Sequence, residues 1–142
     1  MDKWDERFLL LAEHVAAWSK DPSTKVGCVL VDAHRRVIGM GYNGFPRGVS
    51  DDAARYDDRP TKYLMVQHAE ANAVLNAVTS VRGATAYVTH HPCATCAGLL
   101  IQAGVSRIVS FAPEGGIAER FADSFRAAAT MLDEAGVSVE LH

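Results

Sequence analysis

The order in which short β-rich runs and helical stretches follow one another constrains the fold of this chain more than any other feature. "VGCVLVD" (26–32) and "RVIGMGY" (36–42) are β-rich runs joined by the polar "AHR", which together predict a hairpin. Ahead of them, Trp4, Phe8, Leu11, Val15 and Trp18 recur at four- and three-residue steps, the helical period, up to "SKDPS", where Pro22 blocks continuation. A helical face returns with Ala71, Val74, Leu75 and Val78. A strand "ATAYVTH" (84–90), a helix "CATCAGLLIQAG" closed by Gly104 and a strand "RIVSF" (107–111) follow. Ile117, Phe121, Phe125, Ala128 and Leu132 mark one longer amphipathic helix ending near Gly136, before a last strand "VSVEL". A hairpin followed by alternating helices and strands predicts an α/β fold, its sheet covered on both faces and part antiparallel, part parallel.

Between the hairpin and the second helix lies "NGFPRGVSDDAARYDDRPTKY", about twenty residues rich in Gly, Pro, Asp and Arg, with little periodicity. It reads as a loop, and loops of this length inside a domain usually carry function. At 142 residues, residues 1–142 are expected to form a single domain. The charged start "MDKWDERF" is not expected to be a secretory signal, and no apolar run reaches membrane length. A formal charge of −3 argues against a nucleic-acid partner but leaves a small nucleotide open as substrate. The three cysteines, an odd number, point to the cytoplasm and away from a disulfide framework.

The chemistry gathers at two places. "QHAEANAV" sets His68 and Glu70 one residue apart at a helix start, and "PCATC" sets Cys93 and Cys96 at i and i+3 on the first turn of another. One imidazole and two thiolates are ligands that zinc (Zn2+) prefers, and a site with three protein ligands leaves a fourth position for water. A helix start favours thiolate over thiol, and zinc brings the pKa of water it binds to about 7. Beside that water, Glu70 is placed to take a proton and pass it on. H-x-E followed by P-C-x-x-C is a known signature of zinc nucleobase deaminases. Two other readings use the same cysteines: a thioredoxin-like redox pair, and a zinc module without catalysis. Neither gives Glu70 a role. His90 and His91 read as walls of a substrate pocket or supports of the site rather than ligands, and Cys28 as a small buried apolar residue. Arg47 and Lys25 are candidates for meeting a phosphate. Gly41, Gly44 and Gly48 either let backbone approach a ligand or serve tight turns, with "SDD" capping a helix.

With "SKDPSTKVG", "GYNGFPRGVSDD", "TKYLMVQHAEANAV" and "PCATCAGLLIQAGV" together, the chain resembles the deoxycytidylate (dCMP) deaminase family of the cytidine deaminase superfamily over nearly its whole length. The resemblance implies a three-layer αβα sandwich around a five-stranded mixed sheet. It implies zinc on His68, Cys93 and Cys96, with Glu70 as proton shuttle. Asn43 would contact the sugar, and Ala69 and His91 would lie against the substrate. The reaction implied is hydrolysis of dCMP to dUMP and ammonia, with a nucleoside, free base or modified nucleotide as the alternative substrate. It further implies a homo-oligomer and, in regulated members, a nucleoside triphosphate effector. Two positions depart from the family. Trp18 stands where a basic residue is common. "APEGGIAERFADSFRAA" replaces a segment with tyrosine and basic residues, leaving Arg120 or Arg126 to take its part.

Overall fold

A computed structural model describes residues 2–142. Its elements run α1 (Lys3–Ala16), β1 (Gly27–Val31), β2 (Val37–Tyr42), α2 (Ala53–Asp57), α3 (Arg59–Met65), α4 (Ala69–Leu75), β3 (Thr85–Val88), α5 (Ala94–Ala103), β4 (Arg107–Ser110), α6 (Gly115–Arg120), α7 (Ala122–Glu134) and β5 (Ser138–Leu141). The sheet order is β2-β1-β3-β4-β5. β1 runs antiparallel to β2 and to β3, whereas β3, β4 and β5 run parallel. A hairpin joins antiparallel neighbours through a short turn, while parallel neighbours need a crossover, supplied here by α5 and by α6 with α7. The five-stranded mixed sheet is the one expected.

Residue parity divides the core into two layers. Successive strand residues point to opposite faces. Cys28 and Leu30 of β1, Ala86 and Val88 of β3 and Ile108 of β4 pack with Ala69, Ala73, Ala97, Leu100, Ala128 and Leu132 of α4, α5 and α7. Their neighbours Val29, Val31, Tyr87 and Val109 pack on the other face with Phe8, Leu9, Ala12 and Val15 of α1. The result is helix, sheet, helix: three layers. A bidentate ion pair binds the α1 layer to the sheet. Arg107 donates to both carboxylate oxygens of Asp5, at 2.9 and 2.6 Å, and the Tyr87 hydroxyl donates to Asp5 at 2.7 Å. Arg107 is the main reason the buried Asp5 carboxyl sits below its ordinary value.

Bare glycines set how closely the helices approach. A Cβ on Gly41 would fall 2.3 Å from the Ala73 nitrogen and 2.5 Å from the Ala69 carbonyl oxygen. The bareness of Gly41 therefore serves neither a ligand nor a turn. It seats α4 directly on β2, and so places the residue before α4, His68, at the end of the sheet.

Two stretches differ from expectation. The twenty-residue loop contains α2 and α3. Asp52 caps α2 by accepting from the Ala54 N–H, while Asp58 and Pro60 stand at the start of α3. The long helix expected over Ile117–Leu132 is two, because Phe121 leaves helical geometry at φ −112° and ψ 22°. That break turns the Phe121 ring into the cavity described below. α1 stops at Ala16, well before Pro22, as the Trp18 and Ser19 amides fold back on the Val15 and Ala16 carbonyls. No helix among the described residues is long and apolar enough to cross a membrane.

Candidate active site

Two helix starts meet beside the end of β3. His68 is the N-cap of α4 and Cys93 the N-cap of α5, and neither uses its side chain to cap. Both side chains are thereby left over for another task. The His68 Nδ1 lies 3.2 Å from the Cys96 Sγ and 3.7 Å from the Cys93 Sγ, and the three donor atoms fall within 4.8 Å of one another.

The donor set fits zinc. Zinc–sulfur bonds near 2.3 Å and zinc–nitrogen bonds near 2.0 Å at a tetrahedral angle separate N from S by about 3.5 Å, and the two observed separations bracket that value. Protonation points the same way. The neighbouring Cys96 thiol, and then His68, hold Cys93 well below the ordinary thiol range despite its burial. The Cys93 sulfur in turn pushes Cys96 up, with burial adding to the rise. Two adjacent thiolates oppose one another until a dication lies between them. Among the described residues this is the one group of three close His, Cys, Asp or Glu donors.

Glu70 sits in the first turn of α4, only 4% exposed, and burial pushes its carboxyl up to about 7. It lines a cavity of about 610 Å³ that also takes in His68 and Cys93. Ala69, Asn43 and His91 line the same cavity. His91 packs edge-on against Phe125 at 5.3 Å, and its Nδ1–H donates to the Pro92 carbonyl at 2.9 Å, which leaves Nε2 as the acceptor nitrogen. The Asn43 amide is largely committed. Its Nδ2 donates to the Thr24 carbonyl at 2.9 Å and to the Asp21 carboxylate at 3.4 Å, and its Oδ1 accepts from the Val26 N–H, so one lone pair of Oδ1 is what it can offer a ligand.

Lys25 and Arg47, expected at a phosphate, are not among the lining residues. Lys25 is exposed and donates to the Ser19 carbonyl, and Arg47 is exposed and donates to Asn76 at 3.1 Å. Arg126 is held on the α7 surface by Asp123, whereas Arg120 does line the cavity. Cys28 is fully buried in the core, as its sequence surroundings suggest. His90 forms part of the wall.

Sequence reasoning missed a group of wall residues: Asp21, Tyr56, Arg59 and Lys62. Lys62 donates to both Asp21 oxygens, at 3.0 and 2.8 Å, and to the Ser23 hydroxyl at 2.9 Å. Burial alone would raise the Asp21 carboxyl, but Lys62 and the Ser23 and Thr24 N–H groups outweigh it, and its pKa lies below the ordinary value. The Asp58-Arg-Pro signature of a helix start could have exposed α3, though not the partner of its lysine. The side chains of Lys62 and Asp21 are 11% and 1% exposed, so removing one partner strands a buried charge. Lys62→Met is expected to cost about 3–5 kcal/mol of unfolding free energy in urea at pH 7. Because the Asp21 pKa is lowered in the fold, the stability it contributes is present above the unfolded carboxyl value and lost as pH falls through the folded one. The Lys62→Met deficit should therefore narrow as pH falls into the acid range and Asp21 takes up a proton. A deficit independent of pH would show that the ion pair is not its source.

Comparison with known proteins agrees with this geometry. Residues 2–112 match the family model described as the cytidine and deoxycytidylate deaminase zinc-binding region. The chain is 42% identical over 139 residues to an uncharacterized deaminase of Aliivibrio fischeri, spanning 98% of this chain and 93% of that one. It is 38% identical over 136 residues to the Homo sapiens deoxycytidylate deaminase, covering 92% of this chain and 73% of that one. In three dimensions it is similar to the cyanophage S-TIM5 dCMP deaminase in complex with dCMP and dUMP, with a TM-score of 0.76 and 25% identity over 100% of this chain and 99% of that one. With a family match that includes both "HAE" and "PCATC", this chain belongs to the zinc-binding cytidine and deoxycytidylate deaminases.

Proposed function

We propose that the protein hydrolyses dCMP to dUMP and ammonia. The observation that carries this reading is the buried Glu70 carboxyl, placed in one cavity with a three-donor cluster fit for zinc. The names of the relatives, deoxycytidylate deaminase in Homo sapiens and a cyanophage enzyme in complex with dCMP and dUMP, support the substrate.

His68, Cys93 and Cys96 would hold the zinc, which supplies Lewis acidity and draws the pKa of a water molecule towards about 7. Glu70 does the proton work. Its carboxylate accepts a proton from the water that attacks C4 of the cytosine ring, and delivers it to N3. It then takes a second proton from the new C4 hydroxyl and transfers it to the exocyclic N4, so that the C4–N4 bond breaks, ammonia leaves and the C4 carbonyl of dUMP forms. A carboxyl raised by burial towards neutrality is suited to both giving and taking a proton at pH 7. His91 and Phe125 form an aromatic corner of the cavity for the base, and Asn43 has its one free lone pair for the sugar.

The proposal extends to three coarser properties. Free, adjacent thiols favour the reducing cytoplasm. Leu64, Leu75 and Val78, each more than three-quarters exposed, favour assembly with further copies. A nucleoside triphosphate such as dCTP is the proposed effector.

The deciding experiment incubates zinc-loaded protein with dCMP, CMP, cytidine, cytosine, guanine and adenosine, with and without dCTP, and measures ammonia. dCMP is expected to give the highest kcat/KM. Preference for cytidine or cytosine would overturn the substrate, and no ammonia from any of them would overturn the deaminase reading.

A further inference from the structure

Cys93 begins α5 without capping it, so the first N–H groups of that helix must be met from elsewhere. Ser, Thr, Asp and Asn are the usual caps because a short side-chain oxygen reaches those N–H groups, and a cysteine committed to a metal cannot do the same. The partner comes from another helix. The Ser124 hydroxyl, in the first turn of α7, accepts from the Ala94 N–H at 2.9 Å. Ser124 lies one and two helical turns ahead of Ala128 and Leu132, which are buried in one cluster with Ala97 and Leu100 of α5. It is therefore the polar end of the stripe that α7 lays against α5. The next residue, Phe125, packs edge-on against His91 with ring centroids 5.3 Å apart. Pro92 is fully buried, and its carbonyl accepts from the His91 Nδ1–H at 2.9 Å. Two adjacent residues of α7 thus hold the chain on either side of Cys93.

We propose that Ser124 is a positioning residue for the metal site: with Phe125 beside it, its hydroxyl clamps the turn over His91–Ala94, fixes the Cys93 sulfur and so slows loss of zinc. The proposal rests on the zinc reading of His68, Cys93 and Cys96. Cys96 is buried within α5, whereas Cys93 is half-buried and stands just ahead of the helix. Its sulfur is only as fixed as the turn that carries it. Groups behind a metal ligand that hold its orientation contribute about 10- to 100-fold to metal affinity. Ser124 lies in "APEGGIAERFADSFRAA", the stretch that departs from the family pattern. The clamp is therefore a property of this chain's own α7.

The test mixes zinc-loaded wild type, Ser124→Ala, Ser124→Thr and Val15→Ala with excess pyridylazoresorcinol and follows transfer of zinc by absorbance. Ser124→Ala should release zinc about 10-fold faster than wild type. Ser124→Thr keeps the acceptor oxygen and should stay within about twofold of wild type. Val15→Ala opens a cavity on the other face of the sheet, where α1 packs, and should lower Tm without speeding release. Exchange of the Ala94 N–H with deuterium, measured on metal-free protein, should quicken about 10-fold in Ser124→Ala. Wild-type release in Ser124→Ala overturns the proposal. Equal acceleration in Val15→Ala overturns it too, by tracing the effect to general stability, as does failure of Ser124→Thr to restore slow release. If wild type binds no zinc, the metal reading falls instead, and exchange at Ala94 alone decides whether Ser124 holds the turn.

Discussion

Glu70→Ala is expected to lower kcat for dCMP by at least about 10,000-fold, the upper end of what one general acid or base contributes. The loss should reach that end because a single carboxylate is proposed for two successive transfers, to N3 and then to N4. No second carboxylate can substitute. Of the other acids on the cavity wall, Asp21 is tied to Lys62, and Asp57 is exposed to solvent. The same side chain carries a structural cost, since burial pushes its carboxyl up to about 7. Glu70→Gln, which keeps the shape and removes the charge, should therefore be at least as thermally stable as wild type while equally inactive. Stoichiometric zinc in both variants separates loss of chemistry from loss of the metal. Turnover within tenfold of wild type in Glu70→Gln would remove Glu70 from the proton relay.

Removal of a proposed zinc ligand should act on both activity and stability. Cys96→Ser and His68→Ala are expected to purify with less than one zinc per chain, to release no measurable ammonia, and to unfold about 10 °C below wild type. The stability loss follows from position. Cys96 is 3% exposed in the first turn of α5, and His68 leads into α4, so the ion would join two helices whose apolar residues share one core cluster. Binding energy realised only in the folded state is folding energy. Chelation of wild type should reproduce the shift, and zinc should restore it. Full zinc content and an unchanged Tm in Cys96→Ser would place the metal elsewhere.

These two predictions rest on residues legible from "HAE" and "PCATC" alone. Ligand spacing and helix starts are local properties, and the side-chain types carry their chemistry with them. The wall of the cavity was less legible. Lys25 and Arg47 are phosphate candidates by residue type, yet both point to partners outside the cavity. Lys62 and Arg59 lie in a stretch without an apolar stripe, and the partner that defines Lys62 is Asp21, on the far side of the hairpin in sequence. Gly41 reads from sequence as serving either a ligand approach or a tight turn, and its neighbour in the fold is instead α4.

The sequence by itself determined the sheet's mixed character, the two layers of helices and the identity of the three-donor cluster. Periodicities of two and 3.6, cap positions and ligand types are written within a few residues of one another. Only the tertiary structure decided which cations face the cavity, which are consumed by buried carboxylates, and that the helix after β4 breaks at Phe121 to present Arg120. A side chain's availability depends on its partner, and here the partners come from distant parts of the chain, so no local pattern records it.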